Sequence, residues 1–232
     1  MTNVNLDRCL SFINGNTISA SSTTAEPRVR RAVTISRQAG CGALQVANEL
    51  VDFLQRHSPL ATAAWTVFDR ELMDRVLVDH NLPKYMAKFL PEDRISEIED
   101  TMLDIFGVHP PVATIVKQTA ETLLQLAEVG NVILIGRGGN IITAKLPNVL
   151  RVRLVAPLDD RIERICRDDH KSPDAARRFC LNEEQARARY LKSYFNVDIN
   201  DPLKYDLIIN TGRVGCENAS RLIGEAVLRL GQ

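Results

Sequence analysis

Residues 32–44 (AVTISRQAGCGAL) hold the arrangement with the clearest chemical meaning in this chain. A β-branched run leads into a turn containing Gly40 and Gly42, and the turn opens straight into an amphipathic segment. Strand, glycine turn and helix in that order suit a phosphate group. Glycines let backbone N–H groups face inward, and the helix N-terminus adds its partial positive charge. The fit to a Walker A motif, G-x-x-x-x-G-K-[ST], is nevertheless poor. With the second glycine of the motif set on Gly42, Arg37 replaces the first glycine, Ala43 the lysine and Leu44 the hydroxyl residue. A plain strand-to-helix turn would also use Gly40 and Gly42. Arg37 favours the phosphate reading, because a guanidinium grips phosphate bidentately and partly replaces the missing lysine. On that reading Ser36, Arg37, Gln38, Ala39, Gly40, Cys41, Gly42, Ala43 and Leu44 form a cradle for donor phosphates. Cys41 reads as a small filler, although a helix N-terminus would lower its pKa.

Three further places carry chemistry-bearing residues. Gly136-Arg137-Gly138-Gly139 follows an apolar run at 131–135. Arg137 is there either a solvated turn residue or a grip on a substrate phosphate, with the flanking glycines allowing close approach. Asp69 and Arg70 follow a short apolar run at 65–68. Asp69 suits a helix cap, and it equally suits a ribose hydroxyl or hydrated magnesium. Arg161, Arg164 and Arg167 recur every third residue, and Arg177, Arg178, Arg187, Arg189 and Lys192 follow on the next helical stretch. These are either a solvated face with pairs such as Glu183–Arg187 at i, i+4, or a mobile basic lid over transferring phosphates.

The elements that must position these groups alternate regularly. Strands are expected at 32–36, 65–68, 131–135, 149–155 and 206–209. Ala43, Val46, Ala47, Leu50, Val51 and Leu54 make the i, i+3, i+4, i+7 stripe of a helix. A long helix is expected from about Pro110 and Pro111, and others at 157–169, 173–194 and 216–230. Two or three short helices are expected between 70 and 106, with Pro83 and Pro91 near helix starts. Strand–helix alternation points to a three-layer α/β fold, a parallel sheet with helices on both faces. In such a sheet ligands sit at the carboxyl ends of the strands, where the motifs above fall. Residues 14–31 are rich in Ser, Thr and Asn without a period, and 1–31 reads as a flexible N-terminal extension.

Composition narrows the class. The 232 residues are 45% hydrophobic and 25% charged with a formal net charge of zero, so no global charge favours nucleic acid or an anionic membrane. No apolar run is long enough to span a bilayer, and a secretory signal is not expected, since no charged segment followed by an apolar one opens the sequence. The five cysteines (Cys9, Cys41, Cys166, Cys180, Cys216) include no C-x-x-C pair, and the four histidines show no zinc-ligand spacing. A reduced, cytoplasmic protein without a metal cluster is expected.

From residue 32 to the C-terminus the chain resembles the cytidylate kinase-like family, a branch of the P-loop nucleoside monophosphate kinases. The resemblance rests on Thr34-Ile-Ser-Arg-Gln-x-Gly-x-Gly42, Phe68-Asp69-Arg70-Glu71, Ile135-Gly136-Arg137-Gly138, Val155-Ala156-Pro157 with Arg161, and Tyr205-Asp206-Leu207-Ile208-Ile209-Asn210-Thr211. The family's loop is similar to Ser-Arg-x-x-Gly-Ser-Gly-Gly and commonly lacks the Walker lysine; here Cys41 and Ala43 stand for its Ser and last Gly. Gly138 stands where the Gly-Arg-Asp motif of cytidylate kinases has an aspartate. The resemblance implies a P-loop kinase fold over 32–232, with a helical acceptor-binding insertion at 70–106 and a lid at 161–189. It implies phosphoryl transfer from ATP, with Mg2+, to a nucleoside monophosphate such as CMP. Arg37, Arg164, Arg187 and Arg189 would then be catalytic, Arg161 would lie over the donor nucleotide, and Asp69, Arg70 and Arg137 would hold the acceptor. The alternative is a catalytically silent nucleotide-binding sensor or interaction protein, which the missing lysine favours and the retained arginines oppose.

Overall fold

The structure, a computed structural model, describes residues 30–57, 64–69 and 114–230, together with positions 102 and 105. Arg70 and the segment expected to bind the acceptor, 70–106, lie outside the described residues apart from those two positions, as do residues 1–29. Five strands form one parallel sheet: β1 (Ala32–Arg37), β2 (Thr66–Phe68), β3 (Val132–Ile135), β4 (Val149–Val155) and β5 (Leu207–Asn210), in the order β2-β3-β1-β4-β5. The fold is the expected α/β sheet, and each strand falls within a residue or two of its predicted place.

Alternation within the strands decides which helix covers which face. Val33, Ile35, Ile133, Ile135, Val152 and Leu154 point to one side. There they pack on α1 (Ala43–His57), through Val46, Ala47, Leu50 and Leu54, and on the C-terminal helix. Ala32, Val132, Leu134 and Val149 point to the other side, against α2 (Thr114–Val129) and the short α3 (Gly139–Ile142). Strands buried on both faces need apolar side chains at nearly every position, and the fully buried Val-Ile-Leu-Ile of β3 shows it.

Two long helices follow β4. In α4 (Leu158–Asp169), Asp159 and Asp160 sit in the first turn, where the helix dipole favours negative charge. The helix ends on His170 in the left-handed conformation, with φ 54°. Two residues later the Ser172 hydroxyl accepts from the Ala175 amide at 3.4 Å, and Pro173 opens α5 (Pro173–Phe195). A helix stop and a helix start so close together fold α4 and α5 into a hairpin. Its apolar seam joins Ile165, Ala176 and Cys180 to Ala39 of the turn after β1. Two helices that the sequence pattern does not mark, α3 and α6 (Thr211–Val214), are single turns at strand ends; α7 (Cys216–Arg229) completes the fold. Among the described residues no helix is long and apolar enough to cross a membrane.

The connections leaving β1 and β3 run to opposite faces: α1 leads from β1 toward β2, and α3 leads from β3 to β4. Between the carboxyl ends of two adjacent strands whose connections diverge, a crevice must open. Ser36, Arg37, Gly136 and Arg137 stand there.

Candidate active site at the crest of β1 and β3

The turn after β1 has its carbonyls tied down by hydrogen bonds. The Arg37 oxygen accepts from Arg187 Nη1 at 3.3 Å, the Ala39 oxygen from Arg161 Nη1 at 3.4 Å, and the Gly40 oxygen from Arg164 Nη1 at 2.9 Å. The Cys41 oxygen accepts from the Thr211 hydroxyl at 2.8 Å, and the Gln38 and Gly42 oxygens accept from backbone amides of Cys41 and Val46. Among the described residues the amides of Ala39, Gly40 and Gly42 have no acceptor. A glycine turn whose carbonyls are occupied and whose N–H groups are left without acceptors has the makings of an anion cradle. Ala43 begins α1, and Leu44 is half exposed on it; neither adds a polar side chain.

Beside this turn lies a cleft of about 200 Å³. Ser36 and Arg37 on one side, Arg137 and Gly138 behind, and Glu183, Arg187 and Tyr190 of α5 opposite form its walls. The Arg37 guanidinium lies over Gly136, which has no Cβ and a φ of +89°. Burial and the neighbouring Arg187 lower the pKa of Arg37 to about 10, with Glu183 and Asp69 pulling more weakly the other way. Two guanidinium groups held close in a partly dry site repel each other, and an anion between them relieves that repulsion. Arg187 is oriented by Glu183 Oε2 at 2.9 Å, the i, i+4 pair expected from the sequence.

The predicted residues divide into distinct sets. Ser36, Arg37, Arg137 and Arg187 meet in the cleft. Asp69, at the end of β2, lies near enough to Arg37 to act on its charge. Arg161 does not lie over the turn, as expected of a donor-nucleotide contact. It is buried beneath it, donating to Ala156 O at 2.9 Å and to Ala39 O, and paired with Glu184. Arg164 likewise braces the turn from outside. Arg189 is exposed and outside the cleft lining, because two residues along a helix turn a side chain about 200° from Arg187. Cys41 is the filler that the sequence suggests, but its thiol titrates upward rather than downward. Burial pushes it to about 11 against the weaker pull of Arg37 and Arg164.

The structure adds residues the sequence reading passed over. Arg153 of β4 is buried beside Ser36, its register partner on β1, and donates to Ser36 Oγ at 3.0 Å and Asn200 Oδ1 at 3.1 Å. Thr211, just past β5, anchors the turn by donating its hydroxyl to Cys41 O. The alternation Arg151, Val152, Arg153, Leu154 was a legible signal: polar side chains at every second position mark one face of a strand.

Comparison with known proteins fits this geometry. The family model described as the cytidylate kinase-like family matches residues 32–213. The cytidylate kinase of Pyrobaculum islandicum is 30% identical over 192 residues, covering 82% of this chain and 89% of that one. The cytidylate kinase of Methanothrix thermoacetophila is 39% identical over 89 residues, 38% of this chain; the match spans about half, 49%, of that relative's length. Among solved structures, an uncharacterized protein from Eubacterium ventriosum superimposes with a TM-score of 0.66 at 18% identity, over 85% of this chain and 98% of that one. At that identity the likeness is one of fold.

Proposed function

The chain belongs to the cytidylate kinase-like family, and from that premise we propose that it transfers a phosphoryl group from ATP to a nucleoside monophosphate, CMP among the candidates. The observation behind this reading is the meeting of Arg37, Arg137 and Arg187 in one cleft beside a turn with free amides. Phosphoryl transfer asks a protein mainly for positioning and charge neutralisation, and this site offers both.

In this reading the amides of Ala39, Gly40 and Gly42 hold the donor phosphates, with Arg37 in place of the absent lysine. Arg137 holds the acceptor phosphate, Asp69 and Arg70 its neighbourhood. Arg187, on α5 and already hydrogen-bonded to the turn, closes on the transferring group. Arg161 and Arg164 act through the turn as positioning residues, since their guanidinium groups brace its carbonyls. Magnesium-bound ATP would supply the transferable group and its first charge neutralisation. Among the described residues no three His, Cys, Asp or Glu side chains stand together, and Leu44 offers no hydroxyl, so the ion would rely on phosphate oxygens and on Asp69.

The base of the acceptor is a separate matter. A Cβ at Gly138 would stand 3.1 Å from Leu191 and 3.2 Å from Phe195, so the aspartate of a Gly-Arg-Asp motif has little room there. Recognition of the base therefore falls to other residues. The deciding experiment is a screen of purified protein with ATP and each common nucleoside monophosphate, with chromatographic detection of the diphosphate. Turnover of one or more supports the kinase; nucleotide binding without turnover of any supports the silent sensor.

A further inference from the structure

A second cleft, also of about 200 Å³, adjoins the first and shares Arg37, Arg187 and Ile199 with it. Its floor is Arg153, only 5% exposed, reached along the face of β4 that also carries Arg151. A buried guanidinium is costly unless an anion accompanies it. Among the described residues no carboxylate lies within ion-pair distance of Arg153. Its partners are neutral: the Ser36 hydroxyl, the Asn200 amide oxygen, and the Tyr205 ring at 5.6 Å from the guanidinium carbon.

Ala188 and Ile199 make the apolar part of the lining, and most of its polar side chains are donors. Gln38 has its amide oxygen engaged by the Ala156 N–H at 3.0 Å, and Asn200 has its oxygen engaged by Arg153, so what both retain is N–H. Arg37 and Arg187 add two more guanidinium groups. The one acid on the wall, Glu184, is paired with Arg161. Arg187 is paired with Glu183 and Asp69 offsets Arg37 only weakly, so Arg37 and Arg153 leave an excess of positive charge at this cavity. A phosphoryl dianion has the charge and the acceptor oxygens to match.

We propose that this smaller cleft is a second anion subsite, shaped for a phosphoryl group and floored by Arg153. It goes beyond the transfer reaction, which needs only the cradle and the larger cleft. The group has two chemical sources, a further phosphate carried by the nucleotide ligand or free inorganic phosphate.

Titration calorimetry on the full chain distinguishes them, using inorganic phosphate, a nucleoside monophosphate and the matching 3′,5′-bisphosphate. Two variants are compared with wild type: Arg153→Met, which removes the floor, and Gln185→Glu, which places a negative charge on an exposed rim position of the cleft. Each is expected to weaken inorganic phosphate binding at least fivefold, and a smaller change in Gln185→Glu overturns the proposal. Arg153→Met enters the comparison if its melting curve is cooperative; Gln185→Glu, on the surface, decides alone otherwise. If the source is the ligand, the bisphosphate binds at least fivefold more tightly than the monophosphate in wild type only. If the source is free phosphate, phosphate and monophosphate bind together and the bisphosphate has no advantage. These are binding measurements without turnover, so a protein that phosphorylates nothing yet loses phosphate in both variants keeps the subsite and loses the kinase.

Discussion

Replacing Gly136 with alanine should remove Arg37 from the site without touching Arg37. The Gly136 backbone sits at φ +89°, pinned by its amide to Ile35 O at 3.0 Å and by its carbonyl to the Gly139 amide at 3.0 Å. Held at both ends, it cannot relax toward negative φ, so a Cβ there costs about 1–2 kcal/mol of stability. The added methyl also falls on the Arg37 guanidinium, whose Cζ would be 2.9 Å away. The arginine tip is flexible and swings aside at little cost to folding. In doing so it abandons the cradle. Loss of one charge-assisted contact to phosphate is worth about 1.5–3 kcal/mol, which corresponds to roughly tenfold to 150-fold in Kd. Calorimetry with ATP and urea unfolding would measure the two effects separately. Gly136→Ala should lose about the same ATP affinity as Arg37→Ala, and the double variant should lose no more than either. Destabilisation with unchanged ATP affinity, or a double variant that loses the sum of both, would refute the placement of Arg37 over Gly136 as the donor-phosphate contact.

Arg137→Ala should lower kcat/KM for the monophosphate by roughly tenfold to a few hundredfold while leaving ATP affinity nearly intact, as steady-state kinetics would show. Arg187→Ala should impair turnover by a comparable factor and Arg189→Ala by less than threefold, since only Arg187 lines the cleft; equal losses would mean that α5 rotates during the reaction. Hydrogen exchange over 161–189 should slow when a bisubstrate analogue binds, if the α4–α5 hairpin closes as a lid; equal exchange with the analogue bound leaves it a fixed brace. The Cys41 thiol keeps its proton to about pH 11 in the folded chain, whereas an ordinary thiol releases it near 9.0. Between those values the folded state binds more protons than the unfolded, so stability falls as pH rises, by about 2–3 kcal/mol. Urea unfolding of wild type and Cys41→Ala should therefore converge or cross between pH 9 and 11, and a constant difference would contradict the burial.

Strand and helix positions were written in the sequence because each element meets a face whose period is local. Val33 and Ile35 alternate, Val46, Leu50 and Leu54 repeat on a helix, and β3 is apolar throughout because both its faces are covered. The glycine turn and Arg37, Arg137 and Arg187 were legible for the same reason: turn chemistry and charge are properties of residue type. What spacing could not say is which arginines converge. Arg161 and Arg187 differ in the sequence only by position, yet one is buried under the turn and the other opens on the cleft. That choice depends on how the α4–α5 hairpin packs on Ala39, a contact spanning more than a hundred residues. Cys41 shows the same limit. Its place at a helix start argued for a lowered pKa, but the desolvation supplied by neighbouring helices outweighs the nearby positive charges. Arg153 was visible as one half of an alternating pair, but its role waited on the register that sets it beside Ser36 and on the loop that brings Asn200 over it. Local periodicity determined the elements; long-range packing decided which charges share a cavity, because burial and charge coupling act through space rather than along the chain.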